Sequence, residues 1–162
     1  MSSPRFTFLF AIPIVAAPLC AEFLHIEQSI TGLDCASCAQ SVDKTFKKMK
    51  AVETATFRME DSMVVLQLKP GNTLPLEDVR DAVKRIGYTP KEAKVTVRGE
   101  ARREGEKWLF RVAGSGAEYQ LDVSEGIVEQ VRRSAGAIAM IEGSIAADRG
   151  APLKVGAARR GE

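Results

Sequence analysis

Histidine is almost missing from this chain: His25 stands alone among 162 residues. There is no second histidine, no G-x-S-x-G stretch and no phosphate-cradling G-x-x-x-x-G-K-[ST] stretch. No catalytic constellation can therefore be assembled, and the chain is expected not to be an enzyme. A charge excess of one sign is missing too, with 23 basic residues against 21 acidic ones. Such balance argues against nucleic acid or an anionic membrane as the main partner. Nor is there a hydrophobic run fit to span a bilayer. The uncharged stretch from Phe6 to Ala21 is short for a span, and Pro13 and Pro18 would break its helix.

What is present reads as a folded globular protein, 45% hydrophobic and 27% charged, with room for one ordinary domain or two small ones. Arg5 followed by the apolar run predicts a secretory signal over residues 1–21, cleaved near Ala21. The alternatives are an uncleaved anchor or a buried N-terminal strand. Cleavage would place the mature chain in a secreted or periplasmic setting, with no stable membrane insertion. It would also remove Cys20 and leave Cys35 and Cys38 as the only cysteines.

Those two lie in one loop, Thr31-Gly32-Leu33-Asp34-Cys35-Ala36-Ser37-Cys38-Ala39. Thiols three residues apart can converge on one soft metal ion, or on each other as a disulfide. A helix N-terminus beneath them favours thiolate, which is both the metal ligand and the nucleophile.

The surrounding pattern places the loop. Leu24, Ile26 and Ile30 alternate with His25, Glu27 and Ser29 as a half-buried strand, with Gln28 an exception on the inner face. Cys38, Val42, Phe46 and Met49 then fall at helical spacing. Two strands follow, carrying Ala55 and Phe57, then Val64, Leu66 and Leu68, joined by a polar turn at Glu60-Asp61-Ser62. Pro75 opens a second helix with its stripe at Val79, Ala82, Val83 and Ile86, and Gly87 closes it. Tyr88 to Glu92 supplies a short last strand. The order βαββαβ predicts a split βαβ, ferredoxin-like α+β unit over residues 22–93, with two helices on one face of a four-stranded antiparallel sheet. In that topology Tyr88 comes near the cysteine loop.

Residues from about Leu24 to Ala93 resemble the heavy-metal-associated domain of soft-metal chaperones, metal-pumping ATPases and the periplasmic mercury-binding protein. The family loop G-M-x-C-x-x-C is matched by Gly32-Leu33-Asp34-Cys35-Ala36-Ser37-Cys38, and its G-[YF] after the second helix by Gly87-Tyr88. Leu33 replaces a methionine of nearly equal volume, in a position buried in the family. The resemblance implies a metal site at Cys35 and Cys38, shielded by Tyr88 and Leu33. It also implies a metal-accepting or metal-pumping membrane protein as partner.

The ion itself is not named by these residues. Soft thiolates select Cu(I), Hg(II), Zn(II) or Cd(II) over hard ions. Asp34 beside the first cysteine resembles the D-C-x-x-C loop of zinc- and lead-pumping ATPases, where a carboxylate would be a third, harder ligand. Its other reading is a helix cap or a solvated side chain. Tyr88 points the other way, toward copper and mercury carriers. Competing functions are a thiol–disulfide redox protein using the same C-x-x-C pair, or an envelope interaction protein with a structural disulfide. Against the redox reading, no Trp precedes Cys35 and no Gly-Pro separates it from Cys38. His25 and the lysines Lys47, Lys48 and Lys50 are expected to be solvated surface.

Residues 94–162 read as a separate small domain. Lys94–Arg98, Trp108–Val112 and Tyr119–Val123 alternate as strands; a short helix starts near Ser124; Ala137–Ile145 and Leu153–Ala158 are two more strands. Three strands, a helix and two strands is the element order of an OB-like β-barrel. Its twelve basic and ten acidic residues nearly cancel, and Trp108, Phe110 and Tyr119 are expected in the core, so nucleic acid is not expected as a ligand. Arg159 to Glu162 reads as a frayed tail.

Overall fold

The computed structural model describes residues 22–32, 36–112 and 114–161; the side chains of residues 36–39 lie outside that description. The expected signal segment 1–21 lies outside it too, as do Leu33, Asp34 and Cys35.

Period-two alternation yields strand β1 over Phe23–Thr31, with Phe23, Ile26 and Ile30 buried and His25, Glu27 and Ser29 on the other face. Helix α1, Ala36–Lys47, buries Val42 and Phe46 completely against the sheet. Removing a side chain the size of Phe46 from water is worth about 2 kcal/mol. Strands β2 (Val52–Arg58) and β3 (Met63–Leu68) form the predicted hairpin, and Ser62 in its turn takes the left-handed backbone at φ 49°. Helix α2, Leu76–Arg85, follows Pro75 and turns Leu76, Val79, Ala82 and Val83 inward. With β4 (Thr89–Glu104), the strand order β2-β3-β1-β4 completes the ferredoxin-like half.

Gln28, the exception on the inner face, is fully buried. The β1–β4 pairing shifts register between Gln28 and Ile30, and Gln28 Nε2 donates to the Lys91 carbonyl at that bulge (2.9 Å) and to the Ser29 carbonyl (2.8 Å). The buried amide is satisfied at Nε2 by these two carbonyls, while its Oε1 has no partner among the described residues.

The fourth strand is longer than the pattern suggested. β4 runs unbroken from Thr89 to Glu104, so the division expected at 93/94 falls inside one 16-residue strand. Its first half pairs with β1, and its second half, from Glu100 to Glu104, pairs with β5 (Lys107–Arg111). Its other edge pairs with β7 (Ile138–Ile145) from Ala93 to Glu100. Strand β6 (Glu118–Asp122), helix α3 (Glu125–Ser134) and strand β8 (Leu153–Arg160) complete the chain. The pairings β4–β5, β5–β6, β6–β8, β8–β7 and β7–β4 close a five-stranded barrel in which only β6 and β8 run parallel. Closure requires close backbone approach. A Cβ on Gly99 would lie 2.4 Å from the Arg111 carbonyl oxygen and 2.7 Å from the Phe110 ring. The segment expected to fray is ordered instead: β8 continues through Arg160, and the Gly161 N–H donates to the Ile138 carbonyl at 2.7 Å.

The two halves share one core. Phe23 of β1 meets Tyr119 of β6 edge to face, ring centroids 6.3 Å apart at 84°. Arg80 of α2 is only 2% exposed; its guanidinium donates to the carbonyls of Ile145 (3.0 Å) and Ala146 (2.6 Å) at the end of β7, and to Glu77 (2.9 Å). Among the described residues no helix is long and apolar enough to cross a membrane.

Candidate metal centre

Three connections meet at one end of the ferredoxin-like half. The first leaves β1 at Thr31, where Gly32 adopts φ 96°, a left-handed conformation that side-chain-bearing residues avoid. The second is the β2–β3 turn, held to β1 by the Ile30 N–H donating to the Ser62 carbonyl at 2.9 Å. The third is the exit of α2. Gly87 N–H donates to Lys84 O (2.9 Å) and Tyr88 N–H to Val83 O (3.2 Å), with Gly87 at φ 90°. That pair of bonds around a left-handed glycine is the Schellman helix end, and it delivers Tyr88 in a defined direction.

Tyr88 comes to rest over Gly32, with ring atom Cδ1 3.8 Å from where a Cβ on Gly32 would sit. The next residues pair across the strands, Thr31 with Thr89. The half-buried Tyr88 ring thus borders the point at which the chain leaves β1 for the cysteine loop, while its expected approach to the cysteine side chains lies outside the described residues. Cys38 is the third residue of α1, in its first turn, where unpaired N–H groups and the positive end of the helix dipole stabilise an anionic ligand. Leu33, Asp34 and Cys35 fall outside the described residues, and Cys38 is placed by its backbone alone.

The remaining sequence-predicted residues lie elsewhere. His25 is on the sheet face turned away from the helices, its Nε2 3.6 Å from Glu27. Lys47 pairs with Asp43 at 2.5 Å, and Lys48 and Lys50 are exposed. Phe110 is fully buried, while Trp108 and Tyr119 pack partly against the core. Burial pushes the Tyr119 phenol above its ordinary range, reinforced by Glu77. Arg80 was not singled out in the sequence, although it follows Leu76 by four residues and precedes Val83 by three, spacing that puts it beside the buried stripe.

A family model described as the heavy-metal-associated domain matches residues 29–89, the segment that carries the loop, both helices and the Gly87-Tyr88 turn. Several solved structures are similar over this part of the chain. The N-terminal domain of a potential copper-translocating P-type ATPase from Bacillus subtilis, in its Cu(I)-loaded state, is 26% identical. That alignment covers 42% of this chain and 84% of that one, with a TM-score of 0.39. The first domain of the human copper chaperone for SOD1 is 24% identical over 42% of this chain and 89% of that one, TM-score 0.37. A structure described under crosstalk between Cu(I) and Zn(II) homeostasis is 27% identical over 44% of this chain and 96% of that one, TM-score 0.35. No curated protein matches the chain.

Proposed function

We propose, with residues 29–89 being a heavy-metal-associated domain, that this chain carries a soft or borderline metal ion on the thiolates of Cys35 and Cys38. The ion is its cargo, and the class is Cu(I), Hg(II), Zn(II) or Cd(II). The observation that supports the reading is the Tyr88 ring lying over Gly32, the residue at which the chain leaves β1 for the cysteine loop. A helix N-terminus favours the thiolate form of a cysteine in its first turn, where Cys38 lies.

Two thiolates leave an open site. A first acceptor thiolate adds to the two-coordinate ion and one of the chain's own sulfurs leaves; a second acceptor thiolate then displaces the other sulfur, so the ion passes on without ever being free. In this reading Leu33 and Tyr88 shield the site, and Asp34 is either a third ligand, which would favour Zn(II) or Cd(II), or a helix cap or solvated side chain that leaves the ion two-coordinate. The function is sequestration or delivery in heavy-metal transport or detoxification, with a metal-accepting or metal-pumping membrane protein as partner and no catalysis. Residues 1–21 act as a cleaved signal and place the protein outside the cytoplasm. The closed ring β4-β5-β6-β8-β7, with α3 between β6 and β7, supports an OB-type reading of the second half.

A competition titration of the reduced chain with Cu(I) and Zn(II), against chelators of known affinity, tests this reading. One-to-one binding that disappears in Cys35→Ser/Cys38→Ser is expected. A Zn(II) affinity that drops in Asp34→Ala would select the borderline ions. Binding no tighter than that of the double variant would leave a disulfide or redox role for the pair, which insulin reduction would then measure.

A further inference from the structure

On the sheet face turned away from α1 and α2, strands β1, β4, β7 and β8 line a groove of about 550 Å³. Neither half of the chain builds it alone, since β1 belongs to the ferredoxin-like half, β7 and β8 to the barrel, and β4 to both. Its volume is in the range of small-molecule sites.

The pairing registers fix which side chains stand in line across it. One row reads Glu27, Lys94, Ser144, Lys154; the next reads His25, Thr96, Glu142, Ala157. Lys94 and Lys154 therefore flank Ser144 from the strands on either side, their Cα atoms about two strand spacings, or roughly 10 Å, apart. Both stems are long and flexible enough for the two ammoniums to meet above the Ser144 hydroxyl.

The carboxylates of the groove do not neutralise them. Glu27 turns to Arg58 (3.5 Å) and to His25 (3.6 Å), and Glu142 turns to Arg159 (3.3 Å). Among the described residues neither Lys94 nor Lys154 makes an ion pair. The groove thus holds two unpaired cations with hydroxyls between and beside them, from Ser144 and Thr96. Two point charges and neutral donors around a shared centre are complementary to a compact anion bearing two negative charges.

We propose that this groove binds a compact dianion, phosphate or a small dicarboxylate, between Lys94 and Lys154. The proposal is independent of the metal reading, since none of the groove's lining residues belongs to the cysteine loop. The test is amide NMR of the full chain, titrated with phosphate and, separately, with succinate, each at constant ionic strength held by sodium chloride. Saturable shifts confined to residues near Thr96, Ser144 and Val155 are expected, and the tighter of the two anions names the source. Lys94→Gln/Lys154→Gln should weaken binding about tenfold, as expected for losing two solvent-facing ion pairs. Should the double variant not fold, each single variant should weaken it about threefold on the same basis. Shifts that fail to saturate, that chloride reproduces, or that persist in the variants would overturn the proposal.

Discussion

Arg80 shows how much one side chain can commit. Its guanidinium is withdrawn from water and spent on the Ile145 and Ala146 carbonyls, the two groups that end β7. Replacing it by methionine keeps most of the apolar stem and removes the donors. Arg80→Met is expected to cost about 2–3 kcal/mol, the scale of leaving buried acceptors without partners. Urea unfolding at neutral pH measures it, and a change below about 0.5 kcal/mol would mean that water reaches the carbonyls once the guanidinium is gone. Gln28 teaches the complementary lesson. Read along the strand it is an error in the alternation; in three dimensions its Nε2 bonds the Lys91 carbonyl across a bulge that sequence spacing does not display.

At the scale of elements, charge pairs on the surface of the barrel half join strand to strand and brace one helix along its own turn. Glu118 of β6 accepts from Arg102 of β4 at 2.9 Å, and Glu129 of α3 from Arg132 at 2.7 Å. The hydrogen bond from Arg102 holds Glu118 below the ordinary glutamate range, with Arg111 adding to it; Arg132 and Arg133 do the same for Glu129. A carboxylate whose pKa is depressed by folding binds its proton more readily when unfolded. Its contribution is therefore complete above the unfolded value of about 4.3 and is lost as pH falls through the lower folded value. Denaturation midpoints should drop between roughly pH 4.5 and pH 3, and Glu118→Gln/Glu129→Gln should drop less steeply. An unchanged slope in that variant would assign the acid sensitivity to other carboxylates. Both pairs are exposed, so the effect is a change of slope rather than a large loss of stability.

Over the whole molecule, β4 is the organising fact. One strand serves as the edge of the ferredoxin-like sheet and as the first strand of the barrel, and Phe23, Tyr119 and Arg80 knit the halves on either side. Such sharing predicts a single cooperative transition. Trp108, the only tryptophan, lies in β5 of the barrel, far along the chain from the cysteines. If the halves unfold together, metal at Cys35 and Cys38 should raise the midpoint reported by Trp108 fluorescence, by linkage of binding to the folded state. A Trp108 midpoint indifferent to metal, in a chain shown to bind it, would mean that the barrel unfolds by itself.

Local pattern was sufficient for much of this protein. The helix that follows the cysteine loop, the βαββαβ order and the Gly87-Tyr88 turn were all legible, because each depends on period, cap or turn chemistry within a few residues. The strand, helix and strand order of the second half was legible for the same reason. Tertiary structure alone decided the rest. Alternation continues from Ala93 through Val95, Val97 and Ala101, and nothing local says that both edges of that strand are occupied. Burial of Arg80, the bonding of Gln28 and the pairing of Lys94 with Ser144 depend on partners 50 to 65 residues apart. Contacts at that separation leave no periodic trace in the chain, since they are chosen by packing rather than by neighbours.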